Sequence, residues 1–324
     1  MTKPAAIVLA AGQGTRMKSK RPKVLHEVAG RPMVRLVIDA VRRAGVERVI
    51  VVIGHGADDV RAAVADMNVE FAVQAQQLGT GHAVVQAQPL LADFDGPVII
   101  TCGDVPLLRA ETLAALLEKH TETGAAATVL SAIVDDPTGY GRIVRATSSG
   151  QGSDGGAAED KLLRIVEHAD ASEDERQIKE INSGTYCFDG QLLFDALQRI
   201  APDNVQGEYY LPDAVHVLGQ DGHFLAHQSL VIGIAVELAR AEAILRRRIV
   251  HEWMLAGVTI VDPETVYIDA DVRLSLDVTV LPFTFIRGDT YIGEECRIGP
   301  QTEIEDSVIE RGATVERSIV RQSR

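Results

Sequence analysis

"IVLAAGQGTRMKSKRPKVLHEVAGRPM", residues 7–33, decides how the first half of the chain is read. A short apolar run stops at two glycines, and five cations follow between Arg16 and Lys23. Beyond them, residues 32–44 set Val34, Val37, Ile38 and Val41 on one helical face. Strand, loop and helix then recur. Residues 49–53 are a continuous apolar run, 57–65 read as helix, 69–73 as strand, 82–91 as helix, 98–101 as strand and 110–121 as helix. Continuous β-branched runs separated by amphipathic helices indicate a parallel sheet covered on both faces. In such sheets ligands sit at the carboxyl ends of the strands, where the loop of residues 10–24 emerges.

Charge makes that loop unusual. The 324 residues hold 32 Lys and Arg against 46 Asp and Glu, a formal charge of −14. Such an excess of acid argues against non-specific nucleic-acid binding and against attachment to an anionic membrane. No apolar run approaches the ~20 residues of a membrane span, and residues 1–9 lack a signal-peptide core, so the expected location is cytoplasmic. Three cysteines, Cys102, Cys187 and Cys296, are too few and scattered for a disulfide framework or a zinc site. In the loop itself, Gly12 and Gly14 let the backbone turn tightly after a strand, so that N–H groups converge on an anion. A dinucleotide fingerprint would need a third glycine where Met17 stands, and the Gly-Lys-Ser/Thr of a P-loop is missing.

Further along, "TSSGQGSDGGAAED" (residues 147–160) cannot form a core and reads as a mobile surface insertion. Regular structure resumes at 162–166, 184–188 and a helix near 192–200, and residues 237–255 form a long amphipathic helix. After Gly257 the rhythm changes. Ile268, Leu274, Val280, Ile286, Ile292, Ile298 and Ile304 recur every sixth residue. Val272, Val278, Thr284, Thr290, Cys296, Thr302 and Val308 follow with the same period, offset by four. That hexapeptide pattern is the mark of a parallel β-helix. The pattern frays where Glu310 takes the next aliphatic position, and nothing at this end looks like a protective cap. The expected domains are 1–235, a linker helix at 236–257, and a partial β-helix at 258–324.

The string L-A-A-G-x-G-T-R-M followed by P-K-V-L resembles the signature of sugar-1-phosphate nucleotidylyltransferases. "QLGTGHA" (77–83), "CGDVPLL" (102–108), "TGYGRIV" (138–144), "IVEHADA" (165–171) and "EINSGTYCF" (180–188) look like one branch of it. That branch is the bifunctional N-acetylglucosamine-1-phosphate uridyltransferase/glucosamine-1-phosphate acetyltransferase family (GlmU). The likeness runs the length of the chain. It implies a Rossmann-like, mostly parallel nucleotidyltransferase domain followed by a left-handed parallel β-helix, here short. It also implies transfer of UMP from UTP to N-acetylglucosamine 1-phosphate, giving UDP-N-acetylglucosamine for cell-wall peptidoglycan and releasing pyrophosphate.

The resemblance carries roles onto individual residues. Gly12, Gly14 and Arg16 cradle the triphosphate and Lys23 stabilises charge at the α-phosphate, with Arg16 and Lys23 the catalytic pair. Leu9, Ala10, Gln74, Gly79 and Thr80 match uridine-binding positions, Asp104 matches a Mg²⁺ ligand, and Gly141, Glu167 and Asn182 match the sugar pocket. Lys18, Lys20 and Arg21 are expected to be solvated charge, and His26, His55, His82 and His168 structural. A second metal ligand of the family, an asparagine, is replaced by Ala235, which implies weaker metal binding and slower turnover. Cys102 stands where some relatives carry an aromatic residue. The family's acetyl-transfer sites belong to later coils than 258–324 supplies, so acetyl transfer is expected to be absent. The coils could assemble a homotrimer, as the family's do, or remain monomeric. Two alternatives stay open: a nucleotidylyltransferase for another sugar 1-phosphate, or a nucleotide-sugar-binding protein weakened in catalysis.

Overall fold

The computed structural model describes residues 2–12, 19, 21–145, 162–230 and 238–323. Gly14, Arg16, Lys18, Lys20, Ala235 and the stretch 147–160 lie outside the described residues. The chain divides into two compact units. One holds Met1–Leu25 and Val34–Ala235, the other His26–Met33 and Val236–Arg324.

The chain begins with β1 (Ala5–Ala10), β2 (Glu27–Val28), β3 (Arg31–Pro32), α1 (Met33–Arg43), β4 (Arg48–Ile53), α2 (Ala57–Ala63), β5 (Glu70–Val73), α3 (Thr80–Val85), β6 (Pro97–Cys102) and α4 (Ala110–Thr123). It continues with β7 (Ala127–Ile133), β8 (Arg142–Arg145), β9 (Leu162–Val166), α5 (Glu173–Arg176), β10 (Glu180–Asp189), α6 (Gly190–Leu197), α7 (Leu211–Gln220) and β11 (Leu225–Leu230). The first unit is built on one sheet in the order β11-β7-β10-β6-β1-β4-β5. β10 alone runs against its neighbours on this path, so the sheet is mostly parallel.

Both faces of the sheet are covered, which is why its central strands need apolar residues at every position. On one face Ala5, Ile7, Ile50 and Val98 pack against α3, α6 and α7. On the other, Ala6, Val8, Val49 and Ile99 pack against α1, α2 and α4. The alternation along β1 is the period of two that a strand imposes. Val34, Val37, Ile38 and Val41, the face expected for α1, are fully buried. Each such side chain stabilises the fold by roughly 1.5–3 kcal/mol.

The helix expected at 82–91 is instead two pieces, α3 and a short 3-10 turn at Gln88–Leu90. Pro89 explains the break: it lacks an N–H and disfavours helical backbone in the residue before it. β7, β11 and α7 were not singled out from the sequence. β11, reached only after β8, β9, β10, α6 and α7, forms an edge of the sheet and pairs with β7 in parallel.

In the second unit α8 (Leu238–Leu255) leads into short strands: β12 (Thr259–Ile260), β13 (Val266–Ile268), β14 (Arg273–Leu274), β15 (Thr279–Val280), β16 (Thr284–Arg287) and β17 (Tyr291–Ile292). Then come β18 (Arg297–Ile298), β19 (Thr302–Glu305), β20 (Val308–Ile309), β21 (Thr314–Val315) and β22 (Ile319–Arg321). They stack in parallel on three faces, β12-β15-β18-β21, β13-β16-β19-β22 and β14-β17-β20, which is the expected β-helix. Ile268, Val280, Ile286, Ile292, Ile298 and Ile304 are all buried in the prism.

The repeat does not fray as the sequence suggested. Ile286 pairs with Ile304, 18 residues on, whereas Ile292 pairs with Ile309, 17 on, and Ile304 with Val320, 16 on. One residue is lost at the corner before Ile309 and a second before Val320, so Ile309 takes the interior place and Glu310 faces solvent. Ser307 likewise occupies the corner expected for Val308, and is buried. Burying a carboxylate without a partner costs far more than shortening a corner.

The β2–β3 hairpin belongs to this unit although the sequence placed it inside the first domain. Its turn residues Ala29 and Gly30 have φ of 48° and 73°, as a tight two-residue turn requires. Ala29 N–H donates to Glu242 Oε2 at 2.6 Å, and Ala270 N–H donates to the Ala29 carbonyl at 3.0 Å. Among the described residues no helix is long and apolar enough to cross a membrane.

Candidate active site

Three groups of the expected residues gather at the carboxyl ends of β1, β5 and β6 and at the amino end of the antiparallel β10. The first group is Gln74, Gly79 and Thr80. Gln74 follows β5 and is buried, and its amide nitrogen lies 3.0 Å from the Gly79 carbonyl and 3.0 Å from His82 Nδ1. Both amide hydrogens are thus engaged, which leaves the side-chain oxygen as an acceptor. Gly79 has φ 111° and ψ 175°, backbone that side chains other than glycine's avoid. A Cβ there would stand 2.5 Å from the Tyr209 carbonyl oxygen. The same strand-like stretch is tied down by Gly81 N–H to Tyr209 O at 2.8 Å, Tyr209 N–H to Leu78 O at 2.8 Å, and Leu211 N–H to Thr80 Oγ1 at 3.0 Å.

The second group forms around the end of β1. Leu9 and Ala10 close that strand, and the Leu9 carbonyl accepts from Gly103 N–H at 2.8 Å, which sets the β6 exit beside the β1 exit. Gly12 is exposed, with open space where a Cβ would point, as a backbone cradle for an anion requires. Gly54, not anticipated from the sequence, lets Ala11 and Gln74 approach, since a Cβ there would meet both at 2.9 Å. Lys23, on a 3-10 turn at Lys23–Leu25, places Nζ 2.5 Å from Asp104 Oδ2 just beyond β6. Both groups keep partial access to solvent, so a phosphate or a cation can compete for either.

The third group is Gly141, Glu167 and Asn182. Asn182 N–H donates to the Gly141 carbonyl at 2.8 Å, and a Cβ on Gly141 would press to 3.0 Å from Glu167 Oε1. Asn182 Nδ2 donates to the Tyr186 hydroxyl at 2.7 Å, and Gly184 N–H donates to Asn182 Oδ1 at 3.1 Å. The register shift of β10 between Asn182 and Thr185 makes this possible. A glycine inside a strand was the available signal for that bulge. Burial, with the charges of Asp170 and Asp213, raises the Glu167 carboxyl above its ordinary range, while Arg142 opposes the shift. Burial and the nearby Glu167 keep the Tyr186 hydroxyl protonated.

Cys102 joins the second group to the third. Burial and the Asp104 carboxylate push its thiol up to about 12, with Lys23 opposing and Glu167 adding to the rise. It is therefore a protonated wall of the cleft, and a Cβ at Gly184 would sit in ordinary contact with its sulfur at 3.6 Å. Gly14 and Arg16 lie outside the described residues. Sequence reasoning missed His82 as the partner of Gln74, Tyr209 as the backbone that excludes a side chain at Gly79, and Arg142 beside the third group. Among the described residues no cluster of three or more His, Cys, Asp or Glu is placed to hold a metal.

Residues 6–171 match the model of the MobA-like NTP transferase domain. The bifunctional protein GlmU of Geobacillus sp. strain WCH70 is 48% identical over 330 aligned positions, spanning all of this chain and 69% of its own length. GlmU of Exiguobacterium sibiricum is 48% identical over 326 positions, with 98% of this chain and 70% of its own covered. GlmU of Bacillus velezensis is 46% identical over 331, with 100% and 70% covered. The chain thus spans about seven-tenths of the length of these relatives. A solved UDP-glucose pyrophosphorylase complexed with UDP-glucose superimposes with a TM-score of 0.58 at 14% identity, covering 76% of this chain and 100% of that one, a likeness of fold.

Proposed function

Because the chain belongs to the GlmU family and carries an NTP transferase domain, we propose that it transfers UMP from UTP to N-acetylglucosamine 1-phosphate. A phosphate oxygen of the sugar phosphate attacks the α-phosphorus in line. One O–P bond forms as the bond to the β-phosphate oxygen breaks, and UDP-N-acetylglucosamine and pyrophosphate leave. No protein nucleophile is needed. The protein positions two anions and offsets the charge that builds on the non-bridging oxygens.

The observation that carries this reading is the Lys23–Asp104 pair at the joined exits of β1 and β6. Asp104 holds the Lys23 ammonium at the mouth of the cleft, where an incoming α-phosphate replaces the carboxylate as its partner. Arg16 and the N–H groups near Gly12 and Gly14 would meet the rest of the triphosphate. Gln74 offers an acceptor oxygen, which suits the N3–H of uracil and not the bare N3 of cytosine. Leu9, Ala10, Gly79 and Thr80 wall the base. Gly141, Glu167 and Asn182 receive the sugar, the carboxylate accepting from its hydroxyls.

A divalent cation, taken here as Mg²⁺, fits Asp104, because Mg²⁺ accepts one or two carboxylates and fills its other positions with phosphate oxygens and water. Bound there it would neutralise charge on the phosphates. Lacking an asparagine at Ala235, the chain would hold it weakly. The β-helix, with Leu276 and Phe283 exposed on its coils, supports assembly as a homotrimer, which sedimentation can test. The reaction would supply a cell-wall precursor from a cytoplasmic enzyme.

Pyrophosphate release from UTP, measured with and without N-acetylglucosamine 1-phosphate across a Mg²⁺ titration, tests the proposal. Release should require the sugar phosphate and saturate only at high Mg²⁺. Release with another sugar 1-phosphate, or nucleotide-sugar binding without release, would replace it.

A further inference from the structure

Arg142 is among the largest fully buried side chains of the protein, at 1% exposure. Among the described residues no carboxylate reaches it within ion-pair distance, and its Nε has no partner. Burying a guanidinium this way is costly, and an apolar side chain would fill the space at lower cost. What the arginine alone provides is a planar fork that can engage separate pieces of chain.

Its placement says which pieces. On β8 Arg142 directly follows Gly141. Its backbone is paired with Val166 of β9, the residue before Glu167, and with Ile181 of β10, the residue before Asn182. Each of the three sugar-side residues therefore has a neighbour of Arg142 as its own neighbour in sequence. The side chain closes the same circle from the other direction. Nη1 donates to the carbonyl of Tyr140, the residue before Gly141. Nη2 lies 3.3 Å from His168 Nδ1, the residue after Glu167, and donates to the Arg176 carbonyl at 3.3 Å. A guanidinium has no acceptor, so His168 Nδ1 accepts and carries its proton on Nε2.

We propose that Arg142 is the positioning residue of the sugar pocket, its buried fork holding the Gly141 turn and the Glu167–His168 corner in one geometry on the Asn182 strand. The inference rests on the reading that Gly141, Glu167 and Asn182 receive the sugar. Arg142 itself touches no substrate. It sets the distance between the carboxylate and the backbone that face the sugar, and misplacement of such groups by about 1 Å can cost two orders of magnitude in rate.

The test compares Arg142→Met, which keeps the volume and removes the fork, with Arg142→Lys, which keeps one charged donor group. KM is measured for each substrate separately by pyrophosphate release, after thermal melting establishes that each variant folds. Arg142→Met should raise KM for the sugar phosphate at least tenfold while KM for UTP stays within twofold, and Arg142→Lys should recover part of the loss. Equal rises in both KM values, or no change in either, would overturn the proposal.

If Arg142→Met does not fold, His168 decides: His168→Leu removes the acceptor of Nη2 and should reproduce the sugar-side loss, whereas His168→Gln retains one and should not. Identical behaviour of those two variants would also overturn it. Should the wild-type protein use a different sugar 1-phosphate, the substrate reading falls and the same split is measured with that sugar. Should it use none, the split is measured by calorimetry as affinity for UDP-N-acetylglucosamine against UTP, and equal losses again overturn the proposal.

Discussion

Replacing Gly79 with alanine tests the nucleotide side of the cleft, and the structure sets its size. At φ 111° and ψ 175° the residue lies in a region that is essentially glycine's alone, and forcing another residue there costs about 1–3 kcal/mol. The new methyl would stand 2.5 Å from the Tyr209 carbonyl oxygen, 2.8 Å from its nitrogen and 3.0 Å from Glu208 Cβ. Two of those atoms are backbone and cannot rotate away, so overpacking adds about 1–3 kcal/mol more. A midpoint of about 4 kcal/mol lowers the melting temperature by roughly 8–16 °C for a unit of this size.

The damage also has a direction. Moving residues 208–210 outward strains the bonds from Tyr209 to Leu78 and Gly81, and the Gly79 carbonyl that anchors Gln74 moves with them. Losing one such anchor, about 1.4 kcal/mol, raises KM for UTP about tenfold, with a smaller change for the sugar phosphate. Differential scanning fluorimetry and separate KM measurements read both effects. A variant with wild-type melting and wild-type KM for UTP would refute the reasoning.

Gln74→Glu should erase the preference for UTP over CTP: a carboxylate would face the Gly79 carbonyl 3.0 Å away in place of a donor, and competition assays with the two nucleotides would reveal it. Glu167→Gln should stabilise the fold at pH 7–8 while weakening sugar binding. Because the folded-state carboxyl is raised by burial and by Asp170 and Asp213, its favourable contribution is complete below the ordinary carboxylate range and is lost as pH rises through the folded value. The gain in melting temperature should therefore vanish near pH 4, and a gain independent of pH would contradict this assignment. In the β-helix, Ile309→Ala should cost about 2–5 kcal/mol and Glu310→Ala almost nothing, read by chemical denaturation, since the register puts Ile309 inside. Equal effects would restore the unshifted repeat.

Much of the site was legible before any coordinates because its parts sit at strand exits, where motif and period coincide. Gln74 meets Gly79, Lys23 meets Asp104, and Asn182 meets Gly141 at these exits. What escaped was the support behind them. His82 and Arg142 lie within the stretches 77–83 and 138–144 and Tyr209 in none of them, yet no role could be read for any of the three, because a histidine, a tyrosine or an arginine in a helix, loop or strand is ordinary until its neighbours are known. Arg142 would be taken for a solvated charge on a short strand. It is buried because β8 lies between β9 and β10, a pairing of segments far apart in the chain.

The sequence by itself determined the covered parallel sheet and the stacked coils, because both are written in local periods of apolar residues that water alone enforces. Tertiary structure alone decided three things. The last coils shift register so that Ile309 and not Glu310 goes inside, since the prism rejects a carboxylate. The hairpin at residues 26–33 joins the second unit, since Glu242 and Ala270 satisfy its backbone. And Gly79 is shut against Tyr209 from across the fold, where Leu211 meets Thr80 over a separation of 131 residues. Contacts of that range depend on how the chain crosses the sheet, and no local pattern records it.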